Sequence, residues 1–228
     1  MSDHGNSYQG FPPDFSRADM EIIYAVQSYT ITSPERVFAL IQAVRYIIHN
    51  NIPGDIVECG VWKGGSMMAA AMTLLQLNSA ERCLYLFDTF EGMTPPGEKD
   101  VNYQGIPASE IFAQVQCYAP QDEVEIAVRR VGYDTSKIRF VKGRVEDTIP
   151  DQAPAVISLL RLDTDWYEST RHELIHLFPR LSKGGVLIID DYGHWQGARH
   201  ATDEYLSHAN ASLLLNRIDY TGRIGVKI

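Results

Sequence analysis

Five short apolar runs recur along this chain, and each ends at a glycine or a carboxylate. DIVEC (55–59) runs into GVWKGGS, CLYLFD ends in Asp88, IRFVKG ends at Gly143, AVISLL leads into RLDTD, and GGVLII leads into Asp190 and Asp191. Helix-like stretches separate several of them, including MMAAAMTLLQL and STRHELIHLFPRL. Short, nearly continuous apolar strands alternating with helical segments indicate an α/β protein whose mostly parallel sheet is covered on both faces. The carboxyl ends of parallel strands open onto one ligand crevice, so the glycines and acids should gather along one edge.

The rest of the chain fits around that sheet. In TSPERVFALIQAVRYIIHN, Ser33 is a plausible N-cap with Pro34 at the first helical position. Val37, Leu40, Ile41, Val44, Ile47 and Ile48 then recur at helical spacing until NIPG breaks the pattern. SLLLNRIDY and GRIGVKI read as two strands joined by a turn at Thr221 and Gly222, an antiparallel pair at the end of the sheet. Residues 89–137 are far longer than a crossover needs, and they read as an insertion that covers a ligand, a lid. The reading is an N-terminal arm or cover over 1–32 and one domain over 33–228.

Composition narrows the partners. A net charge of −9 with no basic cluster argues against nucleic acid and anionic membrane surfaces. The opening MSDHGNSYQG is polar, and no apolar run approaches the ~20 residues of a membrane span. Cys59, Cys83 and Cys117, odd in number and in apolar contexts, read as buried free thiols. The expectation is a soluble, cytoplasmic protein with a small-molecule partner.

The turn DIVECGVWKGGS (55–66) places glycines between a strand and a helix N-terminus, where backbone N–H groups and a positive dipole end are free. Gly60 and Gly64 are four apart, so it is no dinucleotide fingerprint. Glu58 at the strand tip would repel a diphosphate and suits a cationic ammonium. Asp88 at the tip of the next strand is placed to accept hydrogen bonds from ribose hydroxyls; the plainer alternative is an acid that caps the next turn. An ammonium-bearing nucleoside without phosphate describes S-adenosylmethionine.

RLDTD and IIDD end strands that a crossover helix would place side by side, which brings Asp163, Asp190 and Asp191 together. Three crowded carboxylates repel, and some must take up protons unless a cation joins them. Oxygen-only ligands favour Mg²⁺, Mn²⁺ or Ca²⁺ over zinc. Asp165, two residues past Asp163, remains free to act as a base. Helix or turn capping is the alternative reading of such acids.

VECGVWKGGS, LFDTFEGM, RLDTDWYEST and GGVLIIDDYGHWQGARHATDEYL, in this order, resemble the macrocin-type O-methyltransferases of macrolide and aminocoumarin sugars, from about Ser33 to the C-terminus. The resemblance implies a Rossmann-like class I methyltransferase fold with a seven-stranded sheet, S-adenosylmethionine as donor, Mg²⁺ dependence and self-association into a homo-oligomer. It places the metal on Asp163, Asp190 and Asp191, the general base on Asp165, and the donor on Glu58, Gly60, Ser66, Asp88, Gly143 and Glu146. The implied acceptor is a vicinal diol, a deoxysugar of a natural product or glycoside, with a catechol-type phenolic diol as the alternative. His194, Trp195 and Tyr103 are candidate acceptor contacts, each with a structural alternative.

Overall fold

The computed structural model describes residues 10–209, 211 and 213–228. Its seven strands are ordered β3-β2-β1-β4-β5-β7-β6. β1 (Asp55–Cys59), β2 (Leu84–Asp88), β3 (Ile138–Lys142), β4 (Ile157–Leu162) and β5 (Leu181–Ile189) are parallel. β6 (Asn216–Arg217) and β7 (Arg223–Val226) add an antiparallel hairpin beside β5. β1 and β4 are the central neighbours, and from β1 the chain order runs outward in both directions. Their carboxyl ends form the point at which the topology reverses, where open α/β sheets bind ligands.

β6 is shorter than the strand expected over 212–220. Among the described residues 213–215 carry no strand, and Ser212 lies outside the described residues. Leu213 instead packs with the apolar side chains beneath the sheet, while Leu214 is exposed.

Helices cover both faces. α1 (Arg17–Val26), α2 (Pro34–His49), α3 (Gly65–Gln76), α5 (Gln121–Arg129) and the upper faces of the strands share one apolar core; the lower strand faces and α7 (Tyr167–Leu177) share a second. Ser33 caps α2 by accepting from Arg36 N, with Pro34 next, as its sequence indicates. Short helices α4 (Ala108–Ile111) and α6 (Val145–Thr148) and the long α8 (Gln196–His208) complete the order.

The reading of 1–32 as a cover contained no helix, and α1 corrects it. Ser16 and Asp19 form a reciprocal capping box at its start. Ile22, Ile23 and Val26 are buried against α2 and α3, so this helix belongs to the core.

The insertion between β2 and β3 contains α4 and α5 and is fixed to the far side of the cleft by Asp100. This buried carboxylate accepts from Gly97 N (2.7 Å) in the insertion and from Tyr167 N (2.8 Å) at the start of α7. It thus satisfies an orphan donor of a helix N-terminus from outside the helix. Asp100→Ala should therefore cost about 1–3 kcal/mol, roughly 3–10 °C in melting temperature for a chain of this size. Limited proteolysis should show faster cleavage within 95–107; an unchanged melting curve and cleavage pattern would show that the apolar contacts of the insertion suffice.

Candidate active site

The strand ends enclose a cleft of about 450 Å³. One wall is the β1–α3 turn. Gly60 has φ +79°, and a Cβ there would lie 2.0 Å from the backbone oxygen of Asp163. Only glycine lets the two central strand ends approach so closely. Gly60 N donates to Phe87 O, and Asp163 N donates to Cys59 O, so the three strand tips are laced together. Ser66, in the first turn of α3, is buried and lines the cleft.

Asp88 also lines the cleft, with its carboxylate already engaged. Oδ2 accepts from Val61 N (2.7 Å) and Trp62 N (3.0 Å), and Oδ1 accepts from Phe90 N (2.7 Å). The acid therefore fixes the glycine turn to the start of the insertion, the capping role that the sequence offered beside ribose binding. Gly143 donates to Asp88 O (3.0 Å), and Glu146 pairs with Arg144 at 3.3 Å; both line the same wall.

Glu58 is 1% exposed. One of its oxygens meets the Arg161 guanidinium, and Oε2 has no partner among the described residues. Burial pushes this carboxyl up to about 8, against the pull of Arg161.

The opposite wall carries the aspartates. One carboxylate oxygen from each of Asp163, Asp190 and Asp191 lies within 4.8 Å of the others. Protein cations compensate part of this charge, which the sequence reading omitted. Arg161 bonds Asp163 and Asp190 at 2.6 Å each, besides Glu58. Arg36 of α2 also meets Asp190 and pairs with Asp219 at 3.0 Å.

Two guanidiniums do not neutralise the carboxyls of Glu58, Asp163, Asp165, Asp190, Asp191 and Asp219. Burial, with the charge of Asp190, raises Asp163 to about 6 against Arg161. Burial and the charge of Asp163 raise Asp165 to about 7. Burial, then Asp165 and Asp163, carries Asp191 well above the carboxylate range. A converging, oxygen-only and under-compensated donor set fits a hard divalent cation.

Asp165 has φ +66°, in the left-handed region that non-glycine residues seldom occupy. Its N–H donates to Asp191 Oδ2 (3.2 Å). Such strain persists where surroundings over-determine it, often at functional sites.

The candidate acceptor contacts separate. Trp195 is buried, packed edge-on to Trp166 at 4.9 Å, so most of its surface is used within the protein. His194 lines the cleft with Nδ1 3.1 Å from Tyr220 Oη; burial and then Arg36 lower its pKa. Tyr103 is 56% exposed at the rim, its ring 5.4 Å from His194.

Tyr220, Thr32, Arg36 and Arg161 also line or brace this cleft and were absent from the sequence reading. An arginine inside the apolar run of β4 was the one available signal, because buried arginines are nearly always paired. Cys59, Cys83 and Cys117 are free thiols, but Cys117 is exposed rather than buried.

The sheet order and the antiparallel end hairpin, with the glycine turn opposite the second-strand acid, give a Rossmann-like class I methyltransferase fold. The sequence model of the macrocin-O-methyltransferase (TylF) family matches residues 14–224, and the chain belongs to that family. It is 31% identical over 200 residues to the demethyldecarbamoylnovobiocin O-methyltransferase of Streptomyces niveus, covering 87% of this chain and 76% of that protein. It is 32% identical over 199 residues to the 8-demethyl-8-(2,3-dimethoxy-alpha-L-rhamnosyl)-tetracenomycin-C 4'-O-methyltransferase of Streptomyces olivaceus, covering 86% and 74%. The structure of the O-methyltransferase NovP superposes with a TM-score of 0.83 at 26% identity, over 92% of this chain and 97% of that one. Among the described residues no helix is long and apolar enough to cross a membrane.

Proposed function

We propose that this chain transfers a methyl group from S-adenosylmethionine to one hydroxyl of a vicinal diol on a small-molecule glycoside, with a divalent cation held by Asp163, Asp190 and Asp191. The observation that carries the reading is the single cleft in which these three carboxylates converge, with Asp165 beside them and the glycine turn and Asp88 across from them. The sugar acceptor is drawn from the relative whose name specifies a rhamnosyl-tetracenomycin acceptor.

The donor's methionine end belongs beside Glu58, whose unpartnered Oε2 offers an acceptor to an ammonium. Its ribose belongs at Asp88, where Oδ2 already accepts two backbone bonds and Oδ1, with one from Phe90 N, keeps capacity for another, and Gly143 and Glu146 close the adenosine side. A bound hard cation supplies charge neutralisation and lowers the pKa of a neighbouring hydroxyl. Asp165 would accept the hydroxyl proton as the oxygen bonds the methyl carbon and the methyl–sulfur bond breaks, its electron pair leaving with S-adenosylhomocysteine. The walls align acceptor and donor and exclude water, which supplies a large share of such rate enhancements. Arg36 and Arg161 hold Asp190, so that this carboxylate keeps one orientation. His194, Tyr220 and Tyr103 form the aromatic mouth through which the acceptor enters.

The test is a radiolabelled methyl-transfer screen across glycosides with free vicinal diols and across catechols, with and without chelator. Glycosides should accept label, and chelation should lower the rate by at least about a hundredfold, restored by Mg²⁺. Transfer unaffected by exhaustive chelation would remove the metal from the reading. Transfer confined to catechols would replace the sugar acceptor by a phenolic one.

A further inference from the structure

Glu173 on α7 is 0% exposed, directly beneath the turn that carries Asp163 and Asp165. Its neighbours Leu174 and Leu177 belong to the lower apolar core. A carboxyl in such a place is costly unless its polar atoms are bonded, and here they are. Thr164 Oγ1 lies 3.0 Å from Oε1 and 3.2 Å from Oε2. Burial raises the pKa of Glu173 well above the usual carboxylate range, which favours the neutral acid over the ion.

Thr164 separates the two aspartates. Asp163 and Asp165 both line the cleft, and the hydroxyl of Thr164 between them is bonded to Glu173. The Thr164 carbonyl accepts from Trp166 N (2.7 Å) and from Ser169 Oγ (3.4 Å). Thr164 thus anchors the middle of the turn by its hydroxyl and its carbonyl, between Asp163, whose N–H donates to Cys59 O, and Asp165, whose N–H donates to Asp191.

We infer that Glu173 is a positioning residue: through Thr164 it sets the aim of Asp163 and Asp165. The inference rests on the roles proposed for those two aspartates. Groups that orient metal-ligating side chains typically change metal affinity by about 10–100-fold when removed, which gives the effect a scale.

The test measures Mn²⁺ binding by electron paramagnetic resonance, alongside thermal melting, for the wild type, Glu173→Gln, Glu173→Leu, Thr164→Val and Asp163→Asn. Glu173→Gln keeps a neutral hydrogen-bonding group and should bind Mn²⁺ like the wild type. Glu173→Leu and Thr164→Val should each bind about tenfold more weakly, and the Leu/Val double variant no more weakly than either alone, because both remove one bond. Thr164→Val is close to isosteric and carries the test where Glu173→Leu does not fold. Wild-type Mn²⁺ affinity in folded Thr164→Val overturns the inference. The metal reading fails separately, if Asp163→Asn binds Mn²⁺ as the wild type does or if the wild type binds none. In that event a crystal structure of Thr164→Val decides: carboxylates of Asp163 and Asp165 left in place overturn the positioning role, and displaced ones support it.

Discussion

Asp165→Asn should lower methyl transfer by roughly 10²–10⁴-fold, the usual contribution of a positioned general base, while donor and Mn²⁺ binding stay within about twofold of the wild type. Asparagine preserves size, but it cannot take a proton. The carboxylates of Asp163, Asp190 and Asp191, the proposed cation site, are untouched. The loss should fall on kcat with KM little changed, the signature of an interaction made in the transition state. An acceptor identified by the glycoside screen and a donor titration on the same preparation supply both readouts. Turnover near the wild-type value would move the base elsewhere. His194 is then the alternative, because burial and Arg36 keep its imidazole neutral and able to accept a proton.

The sequence exposed the strand tips more clearly than the contacts among them. Apolar runs that stop at Glu58, Asp88, Asp163 and Asp190 are readable because sheet burial and strand ends leave a one-dimensional pattern. The convergence of Asp163, Asp190 and Asp191 followed from placing two such strands side by side, and they are neighbours.

What compensates those acids was not readable in the same way. Arg36 arrives from α2, remote in sequence from Asp190, and its side chain reaches the cleft only because α2 packs across the sheet. Arg161 was visible as an odd residue in LLRLD, yet its three partners come from three strand tips. Glu173 looks like any helix glutamate until the lower core closes around it.

α1 was missed for a different reason. Ser16 and Asp19 spell a capping box, but the glycines and prolines just before it dominated the reading. β6 was overextended because three consecutive leucines look like a strand. At the sheet edge, with no further strand to pair, they pack or face solvent individually.

The donor side and the acid side meet at one atom pair, which makes Gly60→Ala the substitution with the widest effect. A Cβ there would approach Asp163 O to 2.0 Å and Asp163 C to 2.7 Å. Backbone at the centre of a sheet cannot step aside as a side chain can. Holding alanine at φ +79° adds about 1–2 kcal/mol, and forcing apart a packed contact adds about 1–3 kcal/mol. The sum, roughly 2–5 kcal/mol, corresponds to a fall of about 4–20 °C in melting temperature at this chain length. Gly132→Ala is the matched control: φ is +84° there and no atom lies within 4 Å of the added Cβ. It should show the conformational part alone and bind both ligands normally. Gly60→Ala should in addition weaken S-adenosylhomocysteine and Mn²⁺ together by more than about tenfold each, since one displacement moves the glycine turn and the Asp163 turn at once. Separate titrations of the two ligands into both variants read this directly. If only donor binding falls, the strand ends part without disturbing Asp163. If neither falls, the close approach of β1 and β4 is dispensable, and the two halves of the cleft are not mechanically joined at Gly60.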